Sequence, residues 1–184
     1  MRWAVRPEAP GDAGAVRAVV EAAFPTAAEA DLVDALRRDP AWIPGLSMVA
    51  EAVAPADGGP GSDTAFAGRV GGYALVTRCR VGGAAALALA PVAVLPELQR
   101  RGGGGAAVRA VLGAAARRAA AGGERLVVVL GHPAYYPRFG FARASSLGVG
   151  AAFEVPDEAL MALVLDGPGP VPSGTVAYPA PFGV

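Results

Sequence analysis

Hydrophobic and polar positions in the first forty residues follow one strand pattern and then two helix patterns. Residues 2–6 alternate between polar and apolar side chains, which predicts a short strand. In residues 12–24 and 26–38 the apolar side chains recur every three or four positions, which predicts two helices separated by a proline. Asp12 stands where it would cap the first helix, and Glu29 occupies the capping-box position of the second.

The rest of the pattern predicts a sheet with one long helix between its strands. Turn-rich sequences separate several apolar stretches, which favours antiparallel strands joined by loops or hairpins. The expected strands are residues 46–53, 66–80, 84–95, 125–131, 159–165 and 175–178. An alanine-rich helix is expected from about Gly104 to Gly122–Gly123, and a short helix or turn over 133–139. The loop PADGGPGSDT, residues 55–64, is expected to be a mobile surface segment.

Composition supports one folded domain and excludes several kinds of site. The chain has 184 residues, of which 53% are hydrophobic and 17% charged, so it can bury a core. Its formal net charge is zero, so the chain lacks the excess of positive charge that binding to a nucleic-acid backbone needs. The sequence has no lysine, which excludes a Walker-A phosphate site and a pyridoxal Schiff base. With one histidine and one cysteine, no structural zinc or iron–sulfur site is expected.

Cysteine usage and hydropathy predict a soluble cytoplasmic protein. A single cysteine cannot form an internal disulfide, which suits a reducing compartment. The N-terminus lacks the apolar segment of a secretory signal, and the apolar uncharged run 81–96 is too short to span a membrane. No membrane partner is therefore expected, whereas an apolar surface favours a homodimer.

The segment QRRGGGG, residues 99–105, lies between an expected strand and the long helix. Each glycine costs about 0.5–1 kcal/mol relative to alanine in regular structure, so four together call for a reason. A helix N-terminus exposes backbone N–H groups that lack internal acceptors, and glycines let an anion approach them closely. Arg100 and Arg101 add positive charge. The segment therefore predicts a phosphate or pyrophosphate site, and a glycine-rich turn that reflects composition alone is the alternative.

A Rossmann dinucleotide fingerprint is one interpretation of the glycines. GGGGAA matches its G-x-G-x-x-A pattern, but PELQRR separates the first glycine from the preceding strand. The next strand also ends at Gly131 and His132, where the fingerprint needs an acidic residue. Too few residues follow for the remaining β–α units, so we reject this interpretation.

A second pattern, Q-x-x-G-x-G at Gln99, Gly102 and Gly104, resembles motif A of the GNAT N-acetyltransferase superfamily. The segment VVVLGHPAYYPRFGF, residues 127–141, resembles motif B, a strand and short helix ending in tyrosine, three residues and Gly-Phe. Tyr136 stands at the tyrosine position of that motif. The resemblance is nearest to the YhbS-like branch of acetyltransferases and spans roughly residues 2–180.

The resemblance implies an α/β (α+β) fold, a central mixed, mostly antiparallel sheet with splayed middle strands and helices on both faces. It implies a single domain, 1–184, that transfers the acetyl group of acetyl-CoA to a primary amine by direct attack, without a metal. The cofactor-binding residues that it implies are Val92, Ala93, Val94, Gln99, Arg100, Arg101, Gly102, Gly103, Gly104 and Gly105.

By the same resemblance, Tyr136 is the general acid that protonates the departing thiolate, and Tyr135 is a packing or substrate-lining residue. His132 is expected to be a cap or loop residue. No carboxylate lies in the strand ALALAPVAVL, where some relatives carry one. Glu29 and Asp31 are candidates for the general base, and a solvated helix face is the alternative for both.

Two departures from the motif concern the loop. Gly103 replaces a commonly apolar residue and Gly105 a small polar one, so we expect a loop that stays mobile until coenzyme A binds. If the missing base is real, a non-catalytic acyl-CoA binding or sensing module on the same fold is the alternative function. The acceptor amine is not readable from the sequence.

Overall fold

The computed structural model describes residues 1–54 and 65–184, and the expected mobile loop at 55–64 lies outside them. The strands and α-helices are β1 (Arg2–Pro7), α1 (Ala13–Ala23), α2 (Ala28–Leu36), β2 (Ser47–Val53), β3 (Val70–Val81), β4 (Ala84–Val94), α3 (Gly103–Ala120), β5 (Leu126–Leu130), β6 (Ala142–Arg143), β7 (Val149–Ala151), β8 (Leu160–Val164) and β9 (Gly174–Ala177). Every element expected from the pattern is present. The pattern does not predict β6 and β7, because two or three residues are too short to show an alternation.

The strands form a mixed, mostly antiparallel sheet in the order β1-β2-β3-β4-β5-β8-β6, with β9 paired to β3 and β7. β4 and β5 are parallel and pair only at Leu87–Val127 and Ala88–Val128. β4 then carries one extra residue, since Ala90 and Pro91 span the same step as Leu75 alone in β3. Such a bulge bends the strand. The middle strands therefore splay apart after Ala88, as the resemblance implies.

Helices cover both faces of the sheet. α3 packs on the face that includes Met48 and Ala50 of β2, whereas α1 and α2 pack on the opposite face with Val49 and Tyr73. Successive residues of β2 thus contribute to different cores, as expected for a strand buried on both sides. In the described ranges, none of the helices is long and apolar enough to cross a membrane.

The prediction of two side-chain helix caps is wrong, because neither cap forms. Asp12 is the N-cap residue of α1 but makes no capping hydrogen bond. Its carboxylate accepts hydrogen bonds from Ala9 N at 2.7 Å and from Arg6 Nη2 at 2.9 Å, and the contact with Arg6 lowers the pKa of Asp12 to about 2. At α2 no side-chain cap forms either, so Glu29 makes no capping box. The carboxylate of Asp12 instead contacts the chain before α1, at Ala9 and Arg6.

Candidate active site

A cleft of about 890 Å³ lies where β4 and β5 diverge, and the ends of these two strands line it. One wall is the glycine loop (residues 99–105), together with the start of α3. A second wall comes from the end of α1 and the start of α2, and a third from the segment 130–138 after β5. The cleft therefore brings together both segments on which the sequence resemblance rests.

The glycine loop exposes backbone donors at the start of α3. Gly102, with φ of 92°, is the N-cap residue, and its carbonyl accepts the first helical hydrogen bond from Ala106 N at 2.9 Å. The four N–H groups from Gly102 to Gly105 consequently have no acceptor within the helix. All four of these glycines line the cleft, and the first turn of α3 contains no acidic side chain. This is the arrangement that favours an anion at a helix N-terminus.

Packing explains two of the glycines. A Cβ on Gly103 would lie 2.8 Å from Cζ2 of Trp3, and one on Gly104 would lie 2.9 Å from Cγ2 of Val94. Both distances are shorter than ordinary carbon contacts of about 3.5–4.0 Å. Trp3 also donates a hydrogen bond from Nε1 to the carbonyl of Arg101 at 2.8 Å. Gly103 and Gly104 are buried where α3 begins, and Gly105 is half-buried.

Most of the sequence-predicted binding residues line the cleft. They are Val92, Val94, Gln99, Arg100, Gly102, Gly103, Gly104 and Gly105, together with Tyr136. The side chain of Ala93 is not among them, because alternation along β4 turns it into the core with α1 and α2. Arg101 is also outside the lining, and its described contact with Trp3 is through its carbonyl.

Gln99 connects the glycine loop to the end of β4. Its Nε2 donates a hydrogen bond to the carbonyl of Val94 at 3.4 Å. This long hydrogen bond spans the turn between the strand and α3. The single glutamine of the chain therefore helps to position the loop next to the strand that lines the cleft.

Tyr136 lies beneath the end of β5. Its ring makes edge-to-face contacts with Tyr135 and Phe141, with centroid distances of 5.1 and 5.8 Å. A Cβ on Gly131 would lie 2.4 Å from Cε2 of Tyr136, so the ring occupies space that only a glycine leaves open. Burial, with a smaller contribution from Tyr135, raises the pKa of Tyr136 to about 12. The phenol is therefore protonated at neutral pH.

Tyr135 lies on the side of the cleft that arginines make positive. The hydroxyl of Tyr135 lies 3.3 Å from the position of a Cβ on Gly104, at the start of α3. The guanidinium of Arg138 lies over the ring of Tyr135 at 4.6 Å from its centroid. Arg109 reaches back over Gly105, four residues earlier on the same helix face. With Arg100, three arginines line the cleft.

Comparisons with known proteins agree with this geometry. No family model matches the chain. It is 34% identical over 152 residues to the uncharacterized N-acetyltransferase YjhQ of Escherichia coli K12, a match that covers 80% of this chain and 74% of YjhQ. It is also similar to the crystal structure of the GNAT family N-acetyltransferase YhbS from Escherichia coli in complex with CoA. That match has a TM-score of 0.80 and 27% identity, and covers 100% of this chain and 93% of the other.

A GNAT family acetyltransferase from Brucella melitensis, solved in complex with acetyl-CoA, matches at 33% identity and a TM-score of 0.69 over 98% of both chains. The chain belongs to the GNAT superfamily of N-acetyltransferases. It is a GNAT-type acyltransferase, and the fold class implied by the sequence resemblance is confirmed.

The structure separates the two carboxylates that the sequence offered as bases of this GNAT enzyme. Glu29 lines the cleft, and its Oε2 is buried without a hydrogen-bond partner in residues 1–54 and 65–184. Asp31 does not line the cleft, and it pairs with Arg17 at 2.9 Å. His132 lies at the cleft, and its carbonyl accepts a hydrogen bond from Tyr135 N at 2.9 Å. His132 therefore has the loop position expected from the sequence.

Sequence reasoning missed several lining residues of the GNAT cleft, among them Phe24, Leu32, Arg109 and Arg138. Arg109 had a usable signal, because position i+4 from Gly105 shares its helix face. Phe24 and Leu32 belong to the apolar pattern of α1 and α2, which does not distinguish a core residue from a cleft residue. Arg138 lies inside motif B, but nothing in the motif indicates the direction of its side chain.

Proposed function

We propose that this enzyme transfers the acetyl group of acetyl-CoA to a primary amine by direct attack, with Tyr136 as the general acid. The observation that carries this proposal is that one cleft contains both the free amides of the glycine loop and the buried phenol of Tyr136. An anion site and a proton donor in the same cleft suit a substrate with a diphosphate at one end and a thioester at the other.

The glycine loop is the proposed pyrophosphate site. Amides of Gly102–Gly105 and the positive end of α3 offer donors to phosphate oxygens. Arg100 and Arg109, which line the same cleft, add charge that a diphosphate would neutralise. Arg101 remains a candidate contact for the cofactor through its charge, although it is outside the cleft lining. YhbS and the Brucella acetyltransferase, which were solved with CoA and acetyl-CoA, support this choice of ligand.

The edge of β4 is the proposed site of the pantetheine arm. Pairing with β5 ends at Ala88, so the part of β4 from Leu89 to Val94 faces an open gap. The arm would add to this edge like a short strand, beside the side chains of Val92 and Val94. A backbone N–H near Ala93 or Val94 would then polarise the thioester carbonyl. One such donor is worth about 2.7–4 kcal/mol in a transition state.

The chemical step forms a C–N bond and breaks a C–S bond. The neutral amine attacks the thioester carbon, and the tetrahedral intermediate expels the thiolate of coenzyme A. Tyr136 gives its proton to that sulfur, and the proton that the amine nitrogen loses restores the phenol. Burial that keeps Tyr136 protonated would also raise the pKa of the leaving thiol, which makes the transfer easier.

Substitution of Tyr136 by phenylalanine tests the assignment. We expect Tyr136→Phe to lower kcat by about 10²–10⁴-fold, the usual contribution of general acid catalysis, while affinity for coenzyme A stays within about twofold. Release of coenzyme A thiol from acetyl-CoA and a panel of amines measures turnover, and calorimetric titration measures affinity. Tyr178→Phe is the matched control, because burial also raises the pKa of Tyr178 to about 12 and this residue does not line the cleft.

Three results would contradict the proposal at different levels. If Tyr135→Phe lost far more turnover than Tyr136→Phe, the acid would be the neighbouring hydroxyl. If coenzyme A bound the wild-type protein but no amine was acetylated, the acyl-CoA binding module would be the better description. Saturating coenzyme A should stabilise the fold by about 2.7 kcal/mol at one hundred times its Kd. A missing thermal shift would reject the cleft as the cofactor site.

A further inference from the structure

The α1–α2 wall, defined as Ala23, Phe24, Glu29 and Leu32, differs in character from the rest of the cleft. Three of these residues present half-buried apolar side chains. Glu29 is the acidic residue of the lining among the described residues, whereas the charged side chains of the other walls are arginines. The cleft is thus positive at the glycine loop and negative, within apolar surroundings, at the α1–α2 wall.

Glu29 also differs from the other acids on its own helices. Arg17 pairs with Glu21 at 2.9 Å, with Asp31 at 2.9 Å and with Asp34 at 2.6 Å. In contrast, Oε2 of Glu29 is buried and has no hydrogen-bond donor within residues 1–54 and 65–184. Buried carboxylate oxygens usually have a partner, because leaving one without hydrogen bonds costs free energy. The residue to which this oxygen belongs lines the cleft, so a modest turn of the side chain would bring the carboxylate to a bound amine.

We propose that Glu29 binds the ammonium group of the acceptor, and that the acceptor is a small primary monoamine with an apolar alkyl or aryl body. This inference rests on the acetyl transfer proposed above and names the substrate class for it. A bound ammonium would pair with the carboxylate of Glu29, which lines the cleft. Phe24 and Leu32 contact the apolar body, and an acceptor with its own carboxylate next to the amine would be repelled by Glu29.

Glu29 also accepts the first proton. A primary amine is an ammonium ion at neutral pH, so one proton must leave before nitrogen can attack the thioester. That proton passes to the carboxylate of Glu29 and then to solvent. The second proton leaves the nitrogen as the C–N bond forms, and it replaces the one that Tyr136 gives to the thiolate. In the overall reaction, the ammonium and acetyl-CoA yield the amide, coenzyme A thiol and one proton.

The test compares three amines on the full chain. The probes are 2-phenylethylamine, phenylalanine, which adds a carboxylate to the same body, and 2-aminoethanol, which lacks the apolar body. We expect kcat/KM for 2-phenylethylamine to exceed the other two by at least about tenfold, and Glu29→Gln to lower it by about 100-fold or more. The KM for acetyl-CoA should stay within about twofold, because Glu29 is remote from the phosphate groups in this proposal.

Asp31→Asn is the matched control, since Asp31 is a carboxylate on the same helix that does not line the cleft. It should change kcat/KM by less than about twofold. Calorimetric titration of 2-phenylethylamine into the protein saturated with coenzyme A gives a readout besides turnover. Binding should be measurable for wild type and at least about tenfold weaker in Glu29→Gln.

Each contrary result has a distinct meaning. Undiminished turnover or binding in Glu29→Gln, or a preference for phenylalanine, 2-aminoethanol or a peptide N-terminus, would overturn the inference while leaving acetyl transfer in place. Failure of 2-phenylethylamine to bind wild type would overturn it directly. The absence of transfer to every amine, with coenzyme A bound, would instead reject the proposed function.

Discussion

Alanine should destabilise the protein at Gly103 and stabilise it at Gly105, although both residues lie in the first turn of α3. A Cβ on Gly103 would lie 2.8, 2.9 and 3.0 Å from three ring atoms of Trp3. The indole cannot easily move away, because its N–H is bonded to the carbonyl of Arg101. Overpacking of this kind costs about 1–3 kcal/mol. Alanine recovers about 0.5–1 kcal/mol of backbone entropy, which leaves a net loss of about 1–2 kcal/mol.

At Gly105 the same substitution meets a flexible neighbour. The nearest atoms to its Cβ would be the guanidinium nitrogens of Arg109, at 3.5 and 3.6 Å, which is an ordinary contact. Gly105→Ala should therefore raise the free energy of unfolding by about 0.5–1 kcal/mol. The two variants should differ by about 2 kcal/mol, which corresponds to roughly 4–8 °C in Tm for a chain of this length.

Urea and thermal unfolding, followed by far-ultraviolet circular dichroism, measure both variants. Repeating Gly103→Ala in a Trp3→Ala background completes a double-mutant cycle. Gly103→Ala should become neutral or stabilising there, because the ring is absent. If Gly103→Ala stabilised the wild-type protein as much as Gly105→Ala does, Trp3 would not pack against the glycine loop, and packing would not explain the glycine at position 103.

Three further predictions use the pKa values of buried or paired groups. Because the pKa of Tyr136 is about 12, kcat should show no decline from its ionisation below about pH 10, and a limb at lower pH that Tyr136→Phe removes would contradict the raised pKa. Arg6 lowers the pKa of Asp12 to about 2, so this pair should stabilise the fold above about pH 4 and lose its contribution as the pH falls toward 2. Asp12→Asn should cost about 1 kcal/mol at pH 7 and flatten that acid dependence, and an unchanged urea–pH profile would speak against the pair. Burial raises the pKa of Cys79 to about 12, so Ellman's reagent should label it only after unfolding, whereas rapid labelling of native protein would show an accessible thiol.

The main elements of the fold were predictable because long segments carry a clear period. α3 begins at Gly103, one residue before the expected start, and β9 covers Gly174–Ala177 where a strand was expected. The general site was also predictable, since free amides at a helix N-terminus depend on local backbone structure alone. Homodimer formation, the single domain and cytoplasmic location stay predictions.

Other features of the site depend on tertiary contacts that no local pattern contains. The contact of Trp3 with Gly103 joins β1 to α3 across most of the chain, so composition alone could not separate a packing glycine from a binding glycine. Glu29 and Asp31 lie two residues apart on α2, and only the packing of that helix determines which one reaches the cleft. Side-chain alternation could have excluded Ala93 from the lining, because its neighbours on both sides face the cleft.

The indole of Trp3 has a consequence for how fast and how tightly a ligand could be captured. Fixing the backbone of one residue removes about 1–2 kcal/mol of conformational entropy. The indole packs against Gly103 and bonds to the carbonyl of Arg101, so an incoming diphosphate would have less of this turn to order. Tight binding would then need only a few backbone amides. Shortening Trp3 in β1 would slow binding at the start of α3, although Trp3 would support the site without contacting the ligand.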